Sequence, residues 1–531
     1  MKSHIEEREM NRPWLQHVVV GNPKEIDIPD ISLKEMLDKS IQTYPNHNAM
    51  TFLGRSYTYC DMAIRIKSAA LTLTNLGIQK GDRVALMLPN CPQYPISFYG
   101  SLTCGATIVQ LNPMFQPAEL LHILNDSGTK ALIILDRLLP VFESIKTQTS
   151  VKVVIAVDLD SDFTDGTSSE EMIDVPIDSK KDVAVLQYTG GTTGLPKGAM
   201  LTHHNIVANT LQSAASSFIK TKKGEERVLA ISPLFHVYGM TSGMCLTFYN
   251  GGNLLLVPKF EVEQVVALIE REKPTAFPGV PTMYIALIDY YKIKKYDLSC
   301  LSSCTSGSAP LPLEVLKRFN EISGTKVAEG YGLSEASPVT HRNPIEGLQK
   351  NGSIGIPLPN TDARIVDSVT GQQTLSIGEI GELVIKGPQV MKGYWNQPEE
   401  TIQTIRDGWL FTGDLAKMDE DGFFYIVGRK KEMILASGFN VYPIEVENVI
   451  YSHPAVLEAA VLGVPNEYRG ETIRAVVVLK DGEQVTEQEL ISFCRSKLSA
   501  YKAPSDVLFV DELPKTAVGK ILKRVLKEQY S

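Results

Sequence analysis

Short apolar runs recur along the chain, each rich in β-branched residues and bounded by polar or glycine positions. "RVALMLP" (83–89), "ALIIL" (131–135), "VKVVIAV" (151–157) and "DVAVLQY" (182–188) read as strands buried on both faces. Between such runs the period lengthens. In "EVEQVVALIEREK" (261–273), Val262, Val265, Val266 and Ile269 fall on one helical face. This alternation predicts stacked βαβ units and parallel sheets, an α/β fold. From about 360 to 430 the texture changes: "ARIVD", "GELVIKG" and "GFFYIVG" are short strands split by Gly and Asp turns, a β-rich subdomain. The tail changes again. "TIRAVVVLK" (472–480) predicts a strand, and "TEQELISFCRSKL" (486–498) opens with Thr486 and Glu489 in capping-box spacing. A small α+β domain of about a hundred residues is expected there, and the charged "GRKKE" (428–432) stands before it as either a hinge or a surface turn.

Composition narrows the class. The 531 residues suit roughly three to four domain-sized units. Apolar residues make up 43% and charged residues 21%, ordinary for a globular chain. A net charge of −9 argues against nucleic acid as a partner, since such proteins carry a basic footprint. A nucleotide stays allowed, because a few local cations suffice. Seven scattered cysteines with no CxxC pair signal neither a disulfide framework nor a zinc site, and Cys300 and Cys304 are expected as buried thiols. The polar start "MKSHIEEREMNRPW" is not a signal peptide, and no apolar window is long enough to span a bilayer, so a cytoplasmic protein is expected.

"YTGGTTGLPKGAM" (188–200) holds four glycines, three threonines and a lysine. It does not match the Walker loop: five positions on from Gly190 stands Leu195, and from Gly191 stands Pro196. The pattern predicts a strand through "VLQYT", a loop, and Thr202 as the cap of a helix over "HHNIVANTLQ". Glycines let backbone N–H groups converge on an anion, and the threonines and Lys197 add donors. A phosphate grip and a mobile linker are both compatible with this chemistry.

The stretch resembles the phosphate-loop signature of the adenylate-forming enzymes, the acyl-CoA synthetase and luciferase superfamily. "EGYGLSEASPVT" (329–340), "GWLFTGDLA" (408–416), "YIVGRKKEMI" (425–434) and "PKTAVGKILKR" (514–524) come in the order and spacing of that family, so the resemblance covers almost the whole chain. "KGPQVMKGYWNQPEET" and "FNVYP" are similar to the wording of bacterial long-chain fatty acid–CoA ligases. The resemblance implies a large AMP-binding domain over 1–428, a hinge at 429–431 and a small mobile domain over 432–531. It implies an ATP-dependent ligase that makes acyl-AMP and pyrophosphate and then passes the acyl group to coenzyme A.

Residue by residue, the likeness gives ATP and AMP contacts to Thr189, Gly190, Gly191, Thr192, Thr193, Gly194, Lys197, Ser308, Glu329, Gly330, Tyr331, Ser334, Asp414, Arg429 and Lys520. Thr189 to Lys197 would hold the departing pyrophosphate. Tyr331 would stack on adenine, with the "SGSAPLP" segment (306–312) on its other face. Relatives more often have threonine at Ser334 and a smaller residue at Ser308. Asp414 would accept both ribose hydroxyls. Glu335 would hold Mg²⁺, which favours hard oxygens and substrate phosphates. Lys520 would bridge carboxylate and α-phosphate as the catalytic cation. His236 would either act on the acyl carboxylate or shape the pocket, with Tyr238, Gly239, Val280, Tyr284 and Leu333 as acyl wall. Lys259, Ser437, Gly438 and Phe439 would meet coenzyme A, and Lys431 would be the hinge. Medium-chain or aromatic acids, a luciferase-like oxidation and a non-catalytic acyl-nucleotide sensor are the alternatives. Peripheral membrane contact and a homodimer stay open.

Overall fold

The computed structural model describes residues 12–159, 175–189, 196–436, 439–466, 470–516 and 519–530. Among them, the four predicted runs all form strands of one large sheet, and a second large sheet is built from strands elsewhere in the chain. In one sheet Val153–Val157, Ala131–Leu135, Arg83–Met87, Thr107–Gln110 and Val183–Thr189 pair in parallel. Every residue of Ala131–Leu135 is buried, as a strand covered on both faces requires. In the other, the strands from Val327–Gly332 through Ser303–Ser306, Ala276–Gly279, Arg227–Ala230 and Asn253–Leu256 to Asn48–Phe52 are parallel neighbours, with antiparallel strands added at both edges.

Helix Gln93–Thr103 is buried along its whole length, and a single apolar core runs on through it. It lies against helix Tyr59–Asn75. Gly100 permits that approach, since a Cβ there would stand 2.8 Å from the Ala69 Cβ. The helix expected from 261 to 273 is Val262–Glu272, and it buries Val265, Val266 and Ile269 as predicted.

The β-rich region is an antiparallel sheet of Asp362–Val366, Gly381–Lys386, Trp409–Met418 and Phe424–Arg429, with the short Ile405–Arg406 beside it. The tail has its own sheet, in which Val456–Asn466 and Gly470–Leu479 are the long central pair. Its core of Val441, Val446, Ile450, Val477 and Leu490 is separate from the rest. Thr486 caps helix Glu487–Lys497 in the expected capping box, with Glu489 accepting from its backbone N–H at 2.8 Å.

The glycine-rich stretch departs from the prediction. Thr202 does cap helix His203–Ala215. However, Lys197–Thr202 is a strand, antiparallel to Val183–Thr189 with Thr189 opposite Lys197. Its alternation explains this: Ala199 and Leu201 point inward and are fully buried. The stretch is therefore a hairpin connection, and Gly190 to Gly194 lie outside the described residues. The cysteines are all free; Cys304 is buried, but Cys300, just before the turn into Ser303–Ser306, is only half-buried. No helix of the described residues is long and apolar enough to cross a membrane.

After strand Arg227–Ala230 the chain passes His236 and winds into a π-helical turn, Gly239–Cys245, a geometry frequent at functional sites. A Cβ on Gly239 would lie 2.1 Å from the Pro233 carbonyl oxygen. Gly239→Ala must displace the turn, at a cost of about 1–3 kcal/mol. Denaturant melts should show that loss, and a variant as stable as the wild type would contradict it.

Candidate active site

The parallel strands Arg227–Ala230, Ala276–Gly279, Ser303–Ser306 and Val327–Gly332 are neighbours in one sheet, so their carboxyl ends open on the same side. That is where open α/β sheets place ligands. A cleft of about 1540 Å³ lies there, bounded by the β-rich sheet and by the tail. Its wall includes Thr189, Lys197, His236, Tyr238, Ser308, Gly330, Tyr331, Leu333, Ser334, Glu335, Arg429, Lys431 and Lys520. Residues far apart in sequence, predicted one motif at a time, thus meet in a single space.

Asp414 and Arg429 are cross-strand partners, and register alone brings them together. Arg429 Nε stands 2.8 Å from Asp414 Oδ1, and the Tyr331 hydroxyl donates to Oδ2 at 2.5 Å. Both oxygens of a carboxylate only 4% exposed are therefore engaged. The tie from Tyr331 to Asp414 was not visible in the motifs. Burial and the adjacent Asp414 charge push the Tyr331 phenol well above its ordinary pKa, so it stays a donor.

Lys197 Nζ donates to Glu400 Oε1 at 2.5 Å and lies 5.4 Å from the centre of the Tyr394 ring. The Tyr394 hydroxyl donates to Glu335 Oε1 at 2.8 Å. Tyr394 thus links the candidate phosphate cation to the candidate metal carboxylate. Among the described residues no group of three or more His, Cys, Asp or Glu gathers for a metal. A single carboxylate in a cleft still fits Mg²⁺ that takes its other ligands from phosphates and water. Glu400 and Tyr394 stand in the ligase-like stretch 386–401, on the segment leading into and along helix Pro398–Thr404, but the resemblance gave them no role.

His236 is half-buried. Burial, and then the Lys520 charge, lower its pKa to about 4, so the ring is neutral at physiological pH. The Tyr238 backbone N–H donates to Nδ1 at 3.3 Å, which leaves the proton on Nε2. Lys520 is open to the solvent of the cleft yet ringed by protein. Crowding and Arg429 lower its ammonium pKa, while Asp414 and Glu432 oppose the shift. Its neighbour Lys523 differs: it pairs with Glu447 at 2.6 Å inside the tail.

Other predicted residues fall elsewhere. Gly239, Val280 and Tyr284 are buried behind the wall; the Tyr284 hydroxyl donates to the Thr305 carbonyl at 2.8 Å. Lys259 is on the outer surface, paired with Glu261 at 3.0 Å. Phe439 is exposed and stacks on Tyr501, with ring centres 4.6 Å apart. Ser437 and Gly438 lie outside the described residues. Glu329 is half-buried and does not line the cleft, and the Leu311 N–H donates to its Oε1 at 3.2 Å.

Residues 37–395 match the family model described as AMP-binding enzyme, and residues 445–520 match the AMP-binding enzyme C-terminal domain. The chain belongs to the AMP-binding enzyme family. It is 47% identical to a long-chain-fatty-acid–CoA ligase of Bacillus subtilis, with 98% of each chain covered. It is 38% identical to one from Escherichia coli O157:H7, again over 98% of both. The ATP-bound crystal structure of MatB from Rhodopseudomonas palustris superposes with a TM-score of 0.88 at 31% identity, covering 94% of this chain and 99% of that one. Members of the family with these architectures account for the large sheets, the β-rich region and the small tail domain together.

Burial raises the Glu329 carboxyl from its ordinary 4.5 to about 7, against the opposing hydrogen bond from Leu311. Between those values the folded chain keeps a proton that the unfolded chain gives up. Stability therefore falls as pH rises through that window, and the loss is complete above it. Glu329→Gln removes the titration. Thermal melts of the variant should gain on the wild type as pH rises from 4.5 past 7; parallel pH profiles would show that Glu329 is not the source.

Proposed function

We propose that the chain is a long-chain fatty acid–CoA ligase working in two half-reactions. In the first, a fatty carboxylate oxygen attacks the α-phosphorus of ATP, the bond to the β-phosphate breaks, and pyrophosphate leaves. In the second, the coenzyme A sulfur attacks the acyl carbonyl and AMP leaves. Joining two anions demands screening and alignment. The observation that carries the reading is the meeting of Lys520, from the tail, with Arg429 in one cleft, with the buried Asp414 paired to Arg429 beside it. The near full-length likeness to proteins named long-chain-fatty-acid–CoA ligase supports the choice of acid.

On this reading Lys520 spreads the charge passing between carboxylate and α-phosphate. Lys197, with the loop beside it, holds the pyrophosphate end. Asp414 and Arg429 take the ribose, which requires the Tyr331 hydroxyl to give up one Asp414 oxygen. Glu335 would hold Mg²⁺, which screens the phosphates when bound. Neutral His236 offers its Nε2–H toward the acyl carboxylate. The segment 429–431 divides a large part, 1–428, from a tail, 432–531, and the tail turns about Lys431 so that Lys520 leaves before the thiol arrives.

A panel of palmitate, octanoate and coumarate, scored for CoA-dependent AMP formation, tests the function. Palmitate should lead, and preference for coumarate would transfer the enzyme to aromatic acids. The half-reactions test the residues. Lys520→Ala should cut adenylation by about a thousandfold, the scale of a lost preorganised charge contact. The same variant should largely spare thioester formation from supplied acyl-AMP. Lys431→Pro should do the reverse. Equal losses in both steps would remove these assignments.

A further inference from the structure

Lys520 serves the first half-reaction only if the tail brings its ammonium to one place in the cleft. Electrostatics does not fix that place. Crowding and the Arg429 charge act against the ammonium there, and Asp414 and Glu432 do not cancel them. Lys523, by contrast, is anchored by Glu447 at 2.6 Å. The position of Lys520 must therefore come from the backbone that carries it.

Two threonines hold that backbone, one from each part of the chain. From the tail, Thr516 ties it three times. The Lys520 N–H donates to Thr516 Oγ1 at 3.1 Å, the Thr516 N–H donates to the Lys520 carbonyl at 2.8 Å, and the Gly519 N–H donates to the Thr516 carbonyl at 2.9 Å. From the large part comes Thr282. It is the second residue of helix Pro281–Ile293, which starts just beyond the carboxyl end of strand Ala276–Gly279. Its neighbours Pro281, Met283 and Tyr284 are buried, while Thr282 itself is half-buried. The first turn of this helix is thus a fixed surface, the kind of element that can place a group accurately.

Gly519 rests on that surface. Its φ is +74°, in the left-handed region, and a Cβ there would stand 2.9 Å from Thr282 Oγ1 and 3.4 Å from Thr282 Cγ2. Glycine is needed twice, for the φ and for the close approach. Threonine is β-branched and has little χ1 freedom with which to yield. The contact is one of shape. It can stop an approaching tail at a fixed depth and let it go again.

We infer that Thr282 is a positioning residue for adenylation: it is the stop for Gly519 and so sets how far Lys520 enters the cleft. The inference rests on the ligase reading, in which Lys520 serves the first half-reaction and is withdrawn for the second. Thr282 does not line the cleft, so it acts through Lys520.

The test measures the half-reactions separately, as palmitate-dependent ATP–pyrophosphate exchange and as thioester formation from supplied palmitoyl-AMP and coenzyme A. The variants are Gly519→Ala, Thr282→Ala, the two combined, and Thr282→Trp. Gly519→Ala should cut the kcat of exchange by about a hundredfold, the scale of a small misplacement of a catalytic group, with the KM for ATP and palmitate little changed. Its thioester formation should match the wild type. Adding Thr282→Ala should recover about tenfold of the lost exchange, a non-additivity that independent sites do not show. Thr282→Trp should reproduce the loss with Gly519 intact, which separates the stop from the strain of alanine at positive φ. Thermal melts identify any variant that does not fold, and the remaining variants then decide. Additive losses in the combined variant, equal losses in both half-reactions by folded variants, or exchange unmoved by Thr282→Trp would overturn the inference and leave the ligase reading intact. Absence of exchange in the wild type with every acid tried would instead remove the ligase reading itself.

Discussion

The Asp414 carboxylate is the point through which distant parts of the chain are tied. It is buried on the strand Trp409–Met418, and a buried carboxylate must be compensated or it will not ionise. Compensation comes from Arg429 on the next strand and from the Tyr331 hydroxyl at the end of the large parallel sheet. The Lys520 ammonium of the tail also feels its field. Losing one partner of such a buried pair generally costs about 3–5 kcal/mol, more than most surface contacts together. The large sheet and the β-rich sheet are thus tied together by one carboxylate. In a site for adenosine phosphates, the same carboxylate would greet the sugar.

The remaining charges share a pattern. Lys197 is paired with Glu400, and Lys430 with Glu382 at 2.8 Å. At about 4 Å and an effective dielectric near 20, each such pair is worth roughly 4 kcal/mol of Coulomb energy before desolvation. These cations are thus neutralised within the fold by their own carboxylates. On the proposed reading, a polyphosphate with several charges would displace Glu400 from Lys197, and the pair would re-form as pyrophosphate leaves.

How much of this could be read beforehand depended on range. Local periodicity gave the parallel strands and helix Val262–Glu272, and cap chemistry gave Thr202 and Thr486. Motif order gathered Tyr331, Glu335, Arg429 and Lys520 around one cleft. What escaped were partners that meet only through tertiary structure. Glu400 and Tyr394 stand in the ligase-like stretch 386–401, but nothing in it marks them as facing Lys197 and Glu335. The strand Lys197–Thr202 was hidden because its glycine and lysine read as loop, while the buried Ala199 and Leu201 are too few to set a period. Val280 and Tyr284 were expected on the wall and lie behind it: Val280 stands just before helix Pro281–Ile293 and Tyr284 is on its buried face, and apolar residues spread round that helix give no sign of which side meets the cavity.

The exchange principle also separates the cations by purpose. A lysine that keeps an internal carboxylate serves a guest that comes and goes, because the empty cleft stays neutral without it. Arg342 keeps no carboxylate, but its Nη2 is held by the Ser213 carbonyl and the Ser216 hydroxyl, neutral acceptors that fix it within the fold. A group that binds Lys197 must compete with Glu400, so it needs high charge. On the proposed reading a polyphosphate meets that demand and a single carboxylate does not.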